Sequence, residues 1–165
     1  MEFTLTDIRY RTPEKEEHIL VYEMIKALYQ DDPEGKPMTD EKISRTLRQL
    51  HHHPDYGSVQ VFEWEGQLVG YALLINFWSN EYGGNVLSID ELYIRPDFRG
   101  VGIGTHFIQY LKNNRFNNCV ALELEVLPYN TKALKLYQKL GFQGTNRTHL
   151  LLEITNDENS IQQPD

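Results

Sequence analysis

The sequence predicts an α+β fold in which helices flank a mixed, mostly antiparallel central sheet. Two strand-like runs, 58–64 and 67–77, are joined by a two-residue turn, Glu65-Gly66, which is typical of an antiparallel hairpin. A further strand at 86–94 leads through a glycine-rich turn into a helix and then into a strand at 120–126. That order is typical of a βαβ unit, so the sheet is expected to be mixed.

The chain before the hairpin predicts one strand and two helices. Residues 3–11 alternate loosely between apolar and polar side chains and indicate an edge strand, which Pro13 ends. Apolar residues at i, i+4, i+7 and i+8 from Leu20 predict the first helix. Thr39 can cap a second helix, because its hydroxyl can accept a hydrogen bond from the first turn.

The chain after the hairpin predicts two more helices and a last strand. The apolar spacing predicts helices over 102–115 and over 130–140, the second closed by Gly141 in the left-handed conformation. Residues 148–154 predict the last strand. The tail 155–165 has no apolar pattern and is expected to be mobile.

Length, charge and cysteine content limit the class of protein. The 165 residues suit a single domain, assigned to 1–154. Sixteen basic and 24 acidic residues give a net charge of −8, which disfavours nucleic-acid binding and suits a cationic small molecule. A single cysteine excludes a disulfide framework, and we expect no metal. Without a membrane-length apolar run or a signal-peptide core, the sequence predicts a soluble, cytoplasmic protein.

The turn RGVGIGT at 99–105 suggests a binding site for a diphosphate. Three alternating glycines leave backbone N–H groups uncovered at a helix N-terminus, and Arg99 adds a full positive charge. A dinucleotide fingerprint fits poorly, because Thr105 stands where the third glycine belongs. A Walker motif is excluded, since no Gly-Lys-Ser/Thr follows. A glycine-rich turn without a ligand remains an alternative.

The stretch ELYIRPDFRGVGIG and the downstream pattern Asn130-x-x-Ala133-x-x-x-Tyr137-x-x-x-Gly141-Phe142 together resemble the GNAT superfamily of acetyl-coenzyme A-dependent N-acetyltransferases. The resemblance implies the GNAT fold, whose sheet is splayed at the central strands, and acetyl-CoA as co-substrate. It also implies cofactor-binding residues: main chain at Leu92, Tyr93 and Ile94 for the pantetheine arm, the loop Arg99, Gly100, Val101, Gly102, Ile103, Gly104 and Thr105 for the pyrophosphate, and Asn130 beyond it.

Acetyl transfer requires a proton donor and a proton acceptor. The resemblance implies that Tyr137 protonates the leaving thiolate of coenzyme A. An ammonium group with a pKa near 10.4 costs about 4–5 kcal/mol to deprotonate at pH 7, so a carboxylate base is expected. Asp90 and Glu91 are candidates on the central strand. Adjacent strand residues point to opposite faces unless a bulge redirects them, so both remain candidates.

The predicted substrate is a small cationic amine. The stretches LYQDDPEGKPMTDEKI, HPDYGSVQVFE and NFWSNEYGGNVLSIDELYI are similar to parts of diamine (spermidine/spermine) N-acetyltransferases. That similarity implies that Tyr29, Asp31 and Asp32 hold substrate ammonium groups. The loop before the central strand can add an aromatic and acidic wall through cation–π and charge contacts. Its residues are Phe77, Trp78, Glu81 and Tyr82.

Other functions remain open at this stage. Related proteins of this kind acetylate peptides, proteins or aminoglycosides, and a module that binds acetyl-CoA without catalysis is a further alternative. The resemblance also implies a homodimer, for which the last strands offer an exchange surface. No nucleic acid or membrane partner is expected.

Overall fold

The computed structural model describes residues 4–31, 36–145 and 147–154 of the chain. Its centre is a five-stranded sheet whose strands lie in chain order. The strands are β1 (Arg9–Arg11), β2 (Gly57–Trp64), β3 (Gln67–Ser79), β4 (Gly84–Ile94) and β5 (Ala121–Leu124). Neighbouring strands pair antiparallel, except that β4 and β5 are parallel. The predicted α+β fold with a mixed, mostly antiparallel sheet is therefore confirmed.

Helices cover both faces of this sheet. Within the described ranges they are α1 (His18–Asp31), α2 (Asp40–His52), α3 (Ile103–Asn113) and α4 (Thr131–Lys139). Short 3₁₀ turns lie at Leu5–Asp7, Lys15–Glu17, Pro96–Phe98 and Phe116–Asn118. No helix in the described part of the chain is long and apolar enough to cross a membrane.

Local sequence signals explain several of these boundaries. Glu65 and Gly66 both have positive φ, +48° and +76°, as a two-residue hairpin turn with the right twist requires. The Thr39 hydroxyl accepts a hydrogen bond from the Lys42 backbone N–H at 3.3 Å and caps α2 as predicted. Gly141, at φ +99°, follows α4 in the left-handed conformation that the sequence predicts there.

Two apolar clusters hold the helices against the sheet. We call the two sides the α3 face and the α1 face. On the α3 face, buried strand residues pack against α3, with α4 at the margin; the largest are Phe62, Leu74, Leu87, Phe107 and Leu111. On the α1 face, Val21 and Ile25 of α1 and Ile43 of α2 pack in one cluster with the strand residues Tyr71 and Leu73. Burial of these side chains is the main favourable contribution to the stability of the fold.

The β4–β5 pair is short, and this opens the sheet. β5 pairs only with residues 86–89 of β4, from Val86 opposite Ala121 to Ile89 opposite Leu124. The remaining part of β4, residues 90–94, continues along β3 alone. The two central strands therefore separate after Ile89, as the splayed GNAT fold requires.

The predicted first strand is wrong over most of its length. Within 4–11 only Arg9–Arg11 forms a strand, and Leu5–Asp7 is a 3₁₀ turn. The Thr4 hydroxyl donates to the Asp7 carboxylate, and the Asp7 N–H donates to the Thr4 carbonyl at 3.2 Å. Such local bonds from threonine and aspartate compete with pairing in a sheet, which explains the turn.

The predicted last strand is also wrong within the described residues. Residues 147–154 pair with no strand, and two ion pairs and one histidine–carboxylate contact link this segment to the rest of the described chain. They join Arg147 to Glu81, His149 to Glu125 and Glu153 to Lys36. Three consecutive leucines lack the alternation that assigns a strand one buried face, so burial does not set a register here. The predicted mobile tail 155–165 lies outside the described residues.

Candidate active site

β4 contains a β-bulge where it leaves β5. Ile89 lies opposite Leu74 and Glu91 lies opposite Leu73, so that Asp90 is an extra residue in β4. A bulge bends its strand and moves the side-chain alternation on by one residue. Ile89 therefore packs on the α3 face while Glu91 lies on the α1 face. Residues two apart in a regular strand would share a face.

Glu91 is held by two phenols on the α1 face. It is 8% exposed, and within the described chain only it and Gln60 are buried polar or charged residues. The Tyr29 hydroxyl of α1 donates to one carboxylate oxygen, Oε1, at 2.9 Å. The Tyr71 hydroxyl of β3 donates to the other, Oε2, at 2.7 Å. Both oxygens of this buried carboxylate therefore accept a hydrogen bond from a neutral donor.

The two acids at the bulge differ in surroundings. Burial raises the pKa of Glu91, the hydrogen bonds from Tyr71 and Tyr29 act against that rise, and the charge of Asp90 adds to it. Asp90 has an exposed side chain. Its pKa is nevertheless raised, first by partial desolvation at the bulge and then by the charge of Glu125. A carboxylate with a raised pKa is a stronger base than a free one, so both acids are candidates for a proton acceptor.

The edge of β4 beyond the bulge is open toward β5. In the described residues, no strand pairs with 90–94 on that side, because β5 ends at Leu124 opposite Ile89. An open edge presents backbone N–H and C=O groups that an extended ligand can pair with in the manner of an added strand. The predicted pantetheine positions, Leu92, Tyr93 and Ile94, all lie on this edge.

The glycine loop follows β4 after the short 3₁₀ turn Pro96–Phe98. Gly100 and Gly102 have positive φ, +83° and +95°, which favours glycine. A Cβ atom placed on Gly100 would meet no atom within 4 Å, so the space beside the loop is open. No side chain caps the N-terminus of α3, where Gly102 is the N-cap residue. The backbone donors and the helix dipole there fit a diphosphate.

The arrangement of bulge, open edge and glycine loop matches a known family. The model of the acetyltransferase (GNAT) family matches residues 21–142, a stretch that includes all three features. The chain belongs to the GNAT family. This family uses acetyl-CoA as its co-substrate, and the described residues fit that molecule at the open edge and at the glycine loop.

Curated relatives match part of this GNAT chain. Thialysine N-epsilon-acetyltransferase from Mus musculus is 40% identical over 83 residues, which are 49% of this chain and 48% of that protein. Spermine/spermidine N(1)-acetyltransferase from Bacillus subtilis (strain 168) is 25% identical over 100 residues, 58% of this chain and 63% of that protein. The chain spans about half the length of the first of these relatives. The diamine type is not confirmed, because the thialysine enzyme is the more similar of the two.

A solved structure shows the same fold. The crystal structure of a predicted acetyltransferase with acetyl-CoA from Clostridium acetobutylicum has a TM-score of 0.70 to this chain. The two share 20% identity, and the likeness covers 88% of this chain and 96% of that one. At this identity the likeness concerns the fold alone.

Arg99 lies at the junction of the glycine loop and α1. Its Nε donates to the Ile94 carbonyl at 2.7 Å, and its Nη2 pairs with Asp31 at 3.1 Å. The guanidinium also lies over the Tyr93 ring, 5.3 Å from the centroid. Asp31, a predicted ligand for substrate ammonium, is thus paired with a predicted cofactor residue. Asp32, predicted for the same role, lies outside the described residues.

Tyr137 lies on α4 at the margin of the α3-face cluster. Its ring contacts Phe142 at 5.9 Å between centroids and is half-buried. Within the described chain its hydroxyl makes no hydrogen bond. Burial raises the pKa of Tyr137, so the phenol stays protonated at neutral pH. A protonated phenol with a free hydroxyl can act as a proton donor.

The remaining predicted site residues have other surroundings. Asn130 caps α4, its side-chain oxygen accepting a hydrogen bond from the Ala133 N–H at 3.1 Å. Trp78 and Tyr82 are 73% and 60% exposed near the β3–β4 turn, and Glu81 pairs there with Arg147 at 2.8 Å. By strand spacing, Trp78 lies about 16 Å along β3 from the residue opposite Glu91. The turn is therefore a separate group from the Tyr29–Glu91 pair.

Sequence reasoning missed Tyr71. Its ring is fully buried on β3, and its hydroxyl reaches Glu91 because the bulge brings that carboxylate onto the same face. The signal was present but weak: a tyrosine inside an apolar strand needs a hydrogen-bond partner when buried. Identifying the partner required the register of β3 and β4, which depends on the bulge.

Proposed function

We propose that this chain transfers the acetyl group of acetyl-CoA to the primary amine of a small cationic substrate. The observation that carries the proposal is the buried Glu91 carboxylate at the bulge, directly beside the open edge of β4. A substrate ammonium must lose a proton before it can attack, at a cost of about 4–5 kcal/mol at pH 7. A desolvated carboxylate with a raised pKa is suited to accept that proton.

The other residues proposed for the reaction bind acetyl-CoA or transfer protons. Acetyl-CoA, when bound, supplies the thioester as acetyl donor. In the proposal, the main chain at Leu92 and Ile94 holds its extended arm, and the backbone N–H groups of the loop 99–105 bind its diphosphate. Glu91 accepts the proton from the ammonium, and Asp90 is the second candidate for this role. Tyr137 gives its proton to the departing sulfur, which restores a neutral thiol.

The substrate class follows from charge and from the relatives. The net charge of −8 favours cationic ligands. The relatives named for thialysine and for spermine or spermidine suggest two kinds of amine, the side-chain amine of a lysine-like amino acid and the terminal amine of a polyamine. We propose small amines of these two kinds as substrates, with Tyr29 and Asp31 as candidate contacts on α1, and with Trp78, Glu81 and Tyr82 as separate candidates at the β3–β4 turn. Peptides and aminoglycosides are the alternatives.

The experiment is a thiol-release assay with acetyl-CoA and a panel of amines. The panel holds spermidine, spermine, putrescine, thialysine, lysine, an aminoglycoside and several peptides. Turnover that Glu91→Gln reduces by about 100-fold or more supports the proposed base. Turnover on a polyamine or on a lysine analogue identifies the substrate class. Calorimetry that detects acetyl-CoA binding without turnover on any amine would instead support a non-catalytic module.

We further propose that the chain forms a homodimer. The support is the segment 147–154, in which four large apolar side chains are 78–90% exposed: Leu150, Leu151, Leu152 and Ile154. A contiguous apolar patch of this kind is typical of a protein interface. β5 also has an unpaired outer edge within the described chain, which a strand of a second copy can extend.

A further inference from the structure

Tyr71 is the buried partner of the proposed base. We propose that Tyr71 is a positioning residue that fixes the orientation of the Glu91 carboxylate and keeps it ionised, so that it can accept the substrate proton. This inference rests on the proposed function. It concerns a residue that lies outside the motifs of the sequence, and that reaches Glu91 only through the β4 bulge.

The geometry assigns Tyr71 and Tyr29 different positions around the same carboxylate. Tyr71 is 0% exposed and lies under α1 and α2, where a substrate cannot contact it. Tyr29 is half-buried at the C-terminal end of α1. Each phenol occupies one oxygen of Glu91. Since a carboxylate offers about four lone-pair positions, two remain on Glu91 for the ammonium proton.

Among the described groups around Glu91, only the two phenols stabilise its ionised form. The titratable groups that interact with it are Tyr29 from α1, Tyr71 from β3 and Asp90 from β4, and Tyr93 of β4 packs against the Tyr71 ring. α2 adds the apolar side chains of Ile43 and Leu50 to the same cluster. In the described chain no cation pairs with Glu91, and Arg99 lies over the Tyr93 ring and pairs with Asp31.

Hydrogen bonds to the charged form of an acid lower its pKa, and burial raises it. In wild type, two phenols lower the pKa of Glu91, while burial and the charge of Asp90 raise it. Without the Tyr71 hydroxyl, only the phenol of Tyr29 still lowers it. The pKa of Glu91 is therefore expected to be higher in Tyr71→Phe than in wild type. Because the base must be ionised to accept a proton, the acidic limb of the kcat–pH profile moves to higher pH by the same amount. The loss of activity is then large at low pH and small at high pH.

Two measurements test this. The first follows the side-chain carboxyl carbons of the chain by carbon-13 NMR as a function of pH, without acetyl-CoA, with Glu91→Gln to assign the resonance. The second is the kcat–pH profile with the best amine of the panel. Both use wild type and Tyr71→Phe, which keeps the ring and its packing. Tyr29→Phe removes the bond to the other oxygen and replaces Tyr71→Phe if that variant does not fold.

Tyr10→Phe is the matched control. The Tyr10 hydroxyl shares a 2.7 Å hydrogen bond with His106 Nδ1 on the α3 face, so its loss also removes one partly buried phenol bond. It is expected to change stability while leaving the Glu91 resonance and the acidic limb in place. A merely structural role for Tyr71 would give the same result in Tyr71→Phe.

The outcomes separate this inference from the proposed function. A rise of the Glu91 pKa in the NMR titration, with the acidic limb of the kcat–pH profile moved in the same direction, supports it. An unchanged Glu91 titration in Tyr71→Phe overturns it, whatever the activity. A shifted titration with an unmoved kcat profile overturns the link to catalysis. Absence of turnover by wild type on every amine contradicts the proposed function, while the NMR titration still decides whether Tyr71 holds Glu91 ionised.

Discussion

At the scale of single residues, the site depends on how a buried carboxylate is satisfied. Removing Glu91 from water is unfavourable for its charged form, and no cation in the described chain compensates for it. Two neutral phenols do so instead, one on each oxygen. Neutral donors stabilise the charged carboxylate less than a paired lysine or arginine would, so they weaken it less as a base. The arrangement thus favours proton acceptance.

The role proposed for Tyr137 leads to a prediction at the same scale. Tyr137→Phe is expected to lower kcat by about 100-fold, because a positioned proton donor contributes at least that much. The affinity for acetyl-CoA should change little, since only the hydroxyl is lost. The measurements are thiol release for kcat and calorimetry for binding. Tyr110→Phe, which removes a phenol hydroxyl from α3 on the same face, is the control. An unchanged kcat in Tyr137→Phe would exclude the acid role.

At the scale of elements, β4 and the loop after it depart from regular structure. β4 contains a bulge, and two glycines of the loop have positive φ. A regular strand would have continued the pairing with β5 and placed Glu91 on the face of Ile89. The extra residue Asp90 instead turns Glu91 to the α1 face and bends the strand just where β5 ends. The open edge and the proposed base therefore lie at the same point of β4.

Substitution of Gly102 and of Gly104 by alanine is predicted to change the free energy of unfolding in opposite directions. Gly102 has φ +95°, so Gly102→Ala is expected to lower the free energy of unfolding by about 1–2 kcal/mol. Gly104 lies in α3, and a Cβ there would make an ordinary 3.6 Å contact with Leu92. Gly104→Ala is expected to raise the free energy of unfolding by about 0.5–1 kcal/mol. Chemical denaturation measures both changes; equal signs for the two variants would contradict this account.

Element boundaries were predictable where a local signal decides them. The Glu65-Gly66 turn, the Thr39 cap and the left-handed Gly141 each depend on a few neighbouring residues, and the structure confirms all three. The strands at 3–11 and 148–154 were not predictable in this way. A strand exists only if a partner offers its edge, and neither Leu5–Asp7 nor residues 147–154 has such a partner in the described chain.

At the scale of the whole molecule, the segment 147–154 exposes large apolar side chains that nothing in the described chain covers. Its leucines lie on the surface, although burying each would contribute about 1.5–3 kcal/mol. The ion pairs that hold it involve exposed side chains and contribute little. An interface between two copies would cover these leucines.

The homodimer proposal predicts a change in mass in solution. Wild type is expected to sediment as a dimer, and the double variant Leu150→Ser, Leu152→Ser as a monomer, because it removes two of the exposed apolar side chains. Ile19→Ser, which removes a 60% exposed apolar side chain from α1, is the control and should remain a dimer. Sedimentation equilibrium measures the masses. A monomeric wild type at the highest attainable concentration would contradict the proposal.

The sequence by itself determined the fold class and the order of its motifs, because hydrophobic period, turn residues and glycine spacing are local properties of the chain. The family was indicated by the resemblance of two of those motifs to the GNAT superfamily. The sequence also limited the candidates for the proposed base to Asp90 and Glu91. Only the tertiary structure decided that Glu91 is buried on the α1 face and that Tyr71 and Tyr29 hold it. Those contacts join residues 20 and 62 positions apart, and they depend on a one-residue bulge that reverses the side-chain alternation. No local pattern encodes such a register, since it results from the packing of two strands against α1.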